Sequence, residues 1–256
     1  MHTGRGQRAA CRMGGAEIGQ DVRMLPELIY RSDDGRGPVG RPLPILVWRF
    51  SLPLLAVSSA PAGGGIGRRS WAVNATVPMT YPRTDPDRHL GELAAREGLT
   101  GSGVGMLTGV DVADRVVGRD GGTTVVATVG VGSPVLAAAP DGDRRRLPPV
   151  GTINLIGHVP SRLSDAALIN AVMTVAEAKA QALWSLGIDA TGTATDAICV
   201  LCPDNGPAEP FAGPRSPWGA RLARAVFAAV VEGAAAWRVD GRAWSDKPPP
   251  AGAAEA

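Results

Sequence analysis

The sequence predicts an α+β fold, with a mixed, largely antiparallel sheet and two main C-terminal helices packed on it. Three observations carry that expectation. The first two-thirds of the chain breaks into short apolar, β-branched runs separated by Pro and Gly, the pattern of strands joined by turns. Two long segments in the last third repeat their apolar residues at helical spacing. Between them, Ala197-Ile-Cys-Val-Leu201 has no polar face, as a strand covered on both sides requires.

Taken in order, Ile45 to Phe50, Leu54 to Ser59 and Ser70 to Val77 read as the strands of a meander, divided by Pro53 and the Gly63-Gly-Gly-Ile-Gly67 turn. Asp85-Pro86 opens a short helix, with Leu90, Leu93 and Ala94 at helical spacing and Gly98 as its stop. The strands continue with Val104 to Leu107, Arg115 to Gly118, Thr123 to Val131 and Val150 to Ile156, and Asp120-Gly-Gly122 has the composition of a hairpin turn. Ser164 then caps a helix running to Leu186 and closed by Gly187. At about 100° per residue, its Leu168, Val172, Val175, Leu183 and Leu186 share one face, while Asn170, Thr174, Glu177 and Gln181 line the opposite side. Lys179 projects from the middle of the apolar face, where a lysine packs its stem on the core and carries its ammonium to a carboxylate or to solvent, or else sets a partly buried charge beside a site. The second helix, Gly219 to Ala236, turns Leu222, Val226, Ala229, Val230 and Gly233 to one side and covers the sheet.

Residues 41–240 read as one domain, flanked by a mobile extension over 1–40 and a flexible tail over 241–256, both rich in Gly, Pro and Ala or Arg. The 256 residues are 45% hydrophobic, enough for a sizeable core. Lys+Arg 26 against Asp+Glu 24 leaves a formal +2. The arginines are scattered among acidic residues without a basic stripe, which argues against a nucleic-acid partner. No run approaches the roughly 18 apolar residues of a membrane span and the N-terminus lacks a secretory apolar core, so a cytoplasmic protein is expected. Cys11, Cys199 and Cys202 are too few for a disulfide framework, and His2, His89 and His158 show no metal-ligand spacing. No protein-bound metal is expected.

The stretch TGTATDAICVLCP (Thr191 to Pro203) carries the densest chemistry. An extended backbone puts Thr191, Thr193 and Thr195 on one face, with Gly192, Ala194 and Asp196 on the other. The hydroxyls form a hydrogen-bonding ledge beside small residues, and Asp196 at the mouth of a buried strand is a candidate acid or base. Cys199 and Cys202 read as core thiols, since one Cys-x-x-Cys supplies only half of a structural zinc site. Asn74, Tyr81 and Asn154 sit in or beside strands as possible ligand contacts. The glycine-rich segments lack the Lys-Ser/Thr of a phosphate loop, and Gly-x-Ser-x-Gly is absent.

Several blocks in one order, VGMLTGVDVAD (Val104 to Asp114), TVGVGSP (Thr128 to Pro134), GTINLI (Gly151 to Ile156), LSDAALINAVMTVAEAKAQAL (Leu163 to Leu183), TGTATDAICVLCP and GPRSPWGARLARAV (Gly213 to Val226), resemble the adenosylcobinamide amidohydrolase family over Leu43 to Trp237. The resemblance implies hydrolysis of the amide that joins the aminopropanol arm to the corrin ring, giving adenosylcobyric acid and 1-amino-2-propanol. It implies no resident cofactor, because cobalt enters inside the corrinoid substrate. A corrinoid-binding protein without hydrolysis, and an amidohydrolase of a different amide, are the alternatives.

Amide hydrolysis needs an activated nucleophile, donors for the oxyanion and a proton for the leaving amine. Asp196 and Glu177 are the candidate carboxylates for activating water, with Lys179 tuning a carboxylate and Asn154 and the threonine ledge supplying hydrogen bonds. Thr193 or Thr195 as a direct nucleophile is the second mechanism. Asn74, Asn154, Asn170, Thr174, Thr191 and Thr193 are the candidate polar contacts to substrate, and Trp218 or Trp71 offers a flat apolar face.

Overall fold

A computed structural model describes residues 24–31, 42–140 and 151–247. A short strand, β1 (Glu27–Arg31), pairs antiparallel with the start of the 16-residue β2 (Leu43–Ser58), whose other edge is taken along its length by β3 (Gly65–Thr76). The two strands expected on either side of Pro53 are therefore one. The register to β3 breaks between Arg49 and Leu54, so Phe50 to Pro53 form a bulge. Proline has no N–H to give a ladder, and the bulge is where none is asked of it.

Helix α1 (Pro86–Arg96) leads to β4 (Gly103–Thr108), which lies parallel to β3. A hairpin follows, β5 (Val116–Asp120) and β6 (Thr123–Val131), turned by Gly121 at φ 51° and Gly122 at φ 87° as the Asp-Gly-Gly sequence anticipates. The two-residue β7 (Pro134–Val135) precedes β8 (Gly151–His158), which is antiparallel to β6. Helix α2 (Asp165–Ser185), the two-residue β9 (Gly192–Thr193), β10 (Ala197–Cys202) and helix α3 (Pro217–Asp240) complete the chain. The main sheet runs β4-β3-β2-β10-β8-β6-β5, with β1 beside the first part of β2 and β7 paired to β9 apart from it. Five of the pairings in the main sheet are antiparallel, and the two parallel ones, β3–β4 and β8–β10, are each joined through a helix. Parallel neighbours need such a crossover. The α+β architecture with helices on a largely antiparallel sheet stands, and the expected meander over Ile45 to Val77 is the antiparallel pair β2–β3.

The sheet is rolled. β3 and β8 are separated by β2 and β10, about 14 Å in a flat sheet, yet the Asn74 and Asn154 side chains bond at 3.0 Å. Inside the roll, Leu46, Trp48, Ala72, Val104 and Met106 from one wing meet Val126, Ile156, Cys199 and Leu201 from the other. Outside, α1 covers the β2–β4 wing through Leu90 and Leu93, and α2 with α3 covers the β6–β8–β10 wing. Gly118 on β5 is what lets α3 sit so close: a Cβ there would lie 2.0 Å from the Ala225 carbonyl oxygen. Gly118→Ala is expected to push α3 off the sheet at a cost of about 1–3 kcal/mol, seen as a lower urea midpoint at unchanged slope.

Both long helices start where the sequence places them or slightly earlier. Ser164 accepts from the Ala167 N–H at 3.2 Å, and Ser216 accepts from the Gly219 N–H at 3.1 Å with Pro217 in the first turn. The boundaries of the domain reach further than its apolar pattern. Glu27–Arg31 fall in the expected extension and form β1, and Trp244 in the expected tail is buried, its N–H bonded to the Gly109 carbonyl at 3.0 Å. Residues 1–23, 32–40 and 248–256 lie outside the described residues. Among the described residues, no helix is long and apolar enough to cross a membrane.

Candidate active site

The chain does not stay extended through the threonine ledge. It turns at Ala194 and Thr195, between β9 and β10. The turn brings Thr193 and Asp196, which an extended backbone would set on opposite faces, into contact. The Asp196 carboxylate accepts four donors: the Lys179 ammonium and the Thr193 N–H (3.0 Å) on Oδ2, the Thr193 hydroxyl and the Ile153 N–H (2.9 Å) on Oδ1. A carboxylate offers about four lone-pair sites, so this one is full. The side chains of Lys179 and Asp196 are only 10% and 8% exposed, which makes theirs a buried ion pair. Gly192 sits against it, since a Cβ there would lie 2.3 Å from Asp196 Oδ2 and 2.4 Å from Lys179 Nζ. Asp196 and Lys179 thus form a clamp that fixes the 193–196 turn to α2 and to the start of β8.

The clamp sets Thr195 beside Thr152. Their hydroxyl oxygens are 2.8 Å apart, and the Thr195 hydroxyl also reaches the Gly151 carbonyl at 3.3 Å. Thr191 is turned elsewhere, its oxygen accepting from the Ala137 N–H at 2.9 Å. The three hydroxyls therefore serve three separate partners and form no continuous ledge.

Next along the inner face of β8 is Asn154. Its Nδ2 donates to Asn74 Oδ1 and to the Leu107 carbonyl, both at 3.0 Å, and Asn74 in turn donates to the Thr128 hydroxyl at 3.0 Å. The Leu107 carbonyl fixes which way round the Asn154 amide lies, because only its nitrogen can donate there. Its Oδ1 is buried without a hydrogen-bond partner. An acceptor left dry in this way costs free energy and calls for an explanation.

Asn154, Thr152, Thr195, Thr108 and Tyr81 line one cleft of about 280 Å³, with Pro61, Val77 and Leu107 as apolar wall. Tyr81 brings a partner. Its hydroxyl lies 2.8 Å from His89 Nδ1 on α1, with the two rings stacked at 5.4 Å. Burial, then the charges of Arg83 and Arg31, hold the His89 pKa below its ordinary value, and burial raises that of Tyr81. Arg83 is forked between Asp85 (2.8 and 2.9 Å) and Glu92 (2.6 Å), and holds the Asp85 carboxyl down at about 2.

Of the residues that the sequence singles out, Asn154 and Thr195 line the cleft, Asn74 holds Asn154, and Asp196, Lys179 and Thr193 form the clamp behind it. The others lie apart from this lining. Thr174 is buried and donates to the Ala212 carbonyl at 2.9 Å, and Asn170 stands against Gly213, so both support the loop before α3. Glu177 is exposed on α2. The polar stripe expected on α2 breaks up because Ala167, Ala171, Ala178 and Ala182 pack in the core and widen its buried arc to include Thr174. Trp218 stacks under the Arg221 guanidinium, 4.5 Å from the ring centroid, and Trp71 is buried under α1. Cys199 and Cys202 are buried free thiols, three residues apart on a strand and so on opposite faces. Burial pushes the Cys199 pKa up to about 12. Thr152, inside the GTINLI block, and His89, which has no metal-ligand spacing, were not singled out in the sequence, since only the fold sets Thr152 in the cleft and His89 behind Tyr81.

Similarity to known proteins bears on the same segments. The family described as adenosylcobinamide amidohydrolase matches residues 28–241. A protein of Methanosarcina mazei named adenosylcobinamide amidohydrolase is 32% identical over 186 residues, covering 68% of this chain and 88% of that one. One of the same name from Halobacterium salinarum is 34% identical over 174 residues, or 65% and 74% of the two chains. Among solved structures, the PH0078 protein from Pyrococcus horikoshii aligns over 75% of this chain and 77% of its own at 13% identity, with a TM-score of 0.40. That last likeness carries no argument. The match of the family along nearly all of the described domain, with two relatives above 30% identity, shows that the chain belongs to the adenosylcobinamide amidohydrolase family.

Proposed function

We infer that this chain hydrolyses the amide between the corrin ring and the aminopropanol arm of adenosylcobinamide, releasing adenosylcobyric acid and 1-amino-2-propanol for corrinoid salvage. The family and its two named relatives support the activity. The observation that supports this cleft as its site is that Asn154, whose Oδ1 is unpaired, lines it together with the Thr152–Thr195 hydroxyl pair. A secondary amide carries one N–H donor and one carbonyl acceptor, which is the complement of that set. Asn154 Oδ1 takes the substrate N–H, and the Thr195 hydroxyl, itself accepting from Thr152, donates to the carbonyl oxygen as it becomes an oxyanion.

A cleft of about 280 Å³ lies at the small end of ligand pockets. It takes the amide and the aminopropanol arm, and the corrin stays at the mouth with its cobalt away from the protein's own donors. In this reading the protein needs no resident metal and works in the cytoplasm. Asp196 holds the turn that carries Thr195, because its lone pairs are already taken and none is left for water. Mass spectrometry of the protein incubated with adenosylcobinamide tests the activity, with adenosylcobyric acid and free aminopropanol as the expected products. Intact adenosylcobinamide that is nevertheless bound would favour a corrinoid-binding protein instead.

A further inference from the structure

With Asp196 saturated, the cleft needs another group to take the proton of the attacking water. Tyr81 is the one phenol on its lining, and its hydroxyl lies against His89 Nδ1 at 2.8 Å. We propose that Tyr81 carries a proton between the reacting atoms and His89, which serves as the base behind it. The proposal rests on the amidohydrolase reading and extends it.

The mount of this pair is rigid. The Tyr81 N–H is bonded to the Pro78 carbonyl at 2.9 Å, and the His89 N–H to the Asp85 carbonyl at 3.1 Å. Arg83 ties the loop to α1 by bonding Asp85 and Glu92 together. The charges that bear on the imidazole are Arg83 and Asp85 in the loop, Glu92 on its own helix and Arg31 at the end of β1. The two carboxylates are engaged with Arg83, and the net effect with burial is to keep His89 neutral near pH 7. A neutral imidazole is what a base requires.

In the step itself, His89 carries its hydrogen on Nε2 and Tyr81 donates to Nδ1. Water passes a proton to the Tyr81 oxygen as Tyr81 passes its own to Nδ1, and the water oxygen bonds to the amide carbon while the carbonyl pair moves to oxygen beside Thr195. As the C=O re-forms and the C–N bond breaks with its electron pair on nitrogen, Nδ1 returns its proton through Tyr81 to that nitrogen, which leaves as the neutral amine. Water has given OH to the acid and H to the amine, and both residues end as they began.

The test is the pH dependence of kcat/KM for adenosylcobinamide in wild type, Tyr81→Phe and His89→Gln, alongside corrinoid binding read by tryptophan fluorescence. Wild-type activity should rise with pH through a value below histidine's ordinary 6.5 or so and then level, because the neutral form is the active one. Tyr81→Phe, which removes one oxygen, should lower kcat about a hundredfold or more and leave corrinoid affinity within about threefold. His89→Gln should lose the acid limb. Wild-type kcat in Tyr81→Phe, or an acid limb retained in His89→Gln, would overturn the relay while leaving the amidohydrolase reading intact. Wild-type protein that binds the substrate without cleaving it would overturn both.

Discussion

Asp196→Asn is expected to destabilise the protein by about 3–5 kcal/mol, the usual cost of leaving one member of a buried ion pair alone. The change is nearly isosteric, so packing does not explain the loss. The new amide has one acceptor oxygen where the carboxylate has two, and it turns an NH₂ toward the Lys179 ammonium or the Ile153 and Thr193 donors. Lys179 sits mid-face on α2, and among the described residues no other carboxylate is bonded to it. Replacing both residues, Lys179→Met with Asp196→Asn, should recover part of the loss, with a coupling of roughly 0.5–3 kcal/mol in a double-mutant cycle. Denaturant unfolding measures it. Strict additivity of the two changes would mean that the pair is not a unit.

Asn154→Leu should cost both stability and turnover. Leucine has the same number and branching of side-chain heavy atoms but cannot donate to Asn74 Oδ1 or to the Leu107 carbonyl. Each acceptor left dry costs about 1–3 kcal/mol. Turning the Asn74 amide would only exchange a dry Oδ1 for a dry Nδ2. The Oδ1 proposed to meet the substrate N–H is lost as well. Turnover is therefore expected to fall about a hundredfold, measured on protein shown to be folded at the assay temperature. Wild-type turnover in folded Asn154→Leu would remove the amide-binding role.

Local features of the fold were legible wherever one residue type settles a local geometry. Ser164 and Gly187 bracket α2 because a hydroxyl cap and a positive-φ glycine, here at φ 71°, are read from sequence directly. The Asp120-Gly-Gly122 turn is of the same kind. Lys179 was legible as an anomaly, and its ammonium does end on a carboxylate. Long-range pairing was not legible: nothing in β3 or β8 announces that Asn74 and Asn154 meet across the roll. The threonine pattern misled for a specific reason. Period-two spacing implies an extended strand only while the backbone stays extended, and the turn at Ala194 and Thr195 ends that within the motif. Glu177 drew notice by its place on the polar side of α2, which the structure leaves exposed.

The central claim is that the rolled-sheet cleft, and no surface of α2, does the chemistry. The most direct measurement is kcat for adenosylcobinamide hydrolysis in Thr195→Val and Glu177→Gln, each compared with wild type. Thr195→Val keeps the shape and removes the hydroxyl, so kcat should fall about a hundredfold, and Glu177→Gln should stay within about twofold, as exposed changes usually do. Full activity in Thr195→Val together with loss in Glu177→Gln would contradict the account and return the reaction to the α2 carboxylate.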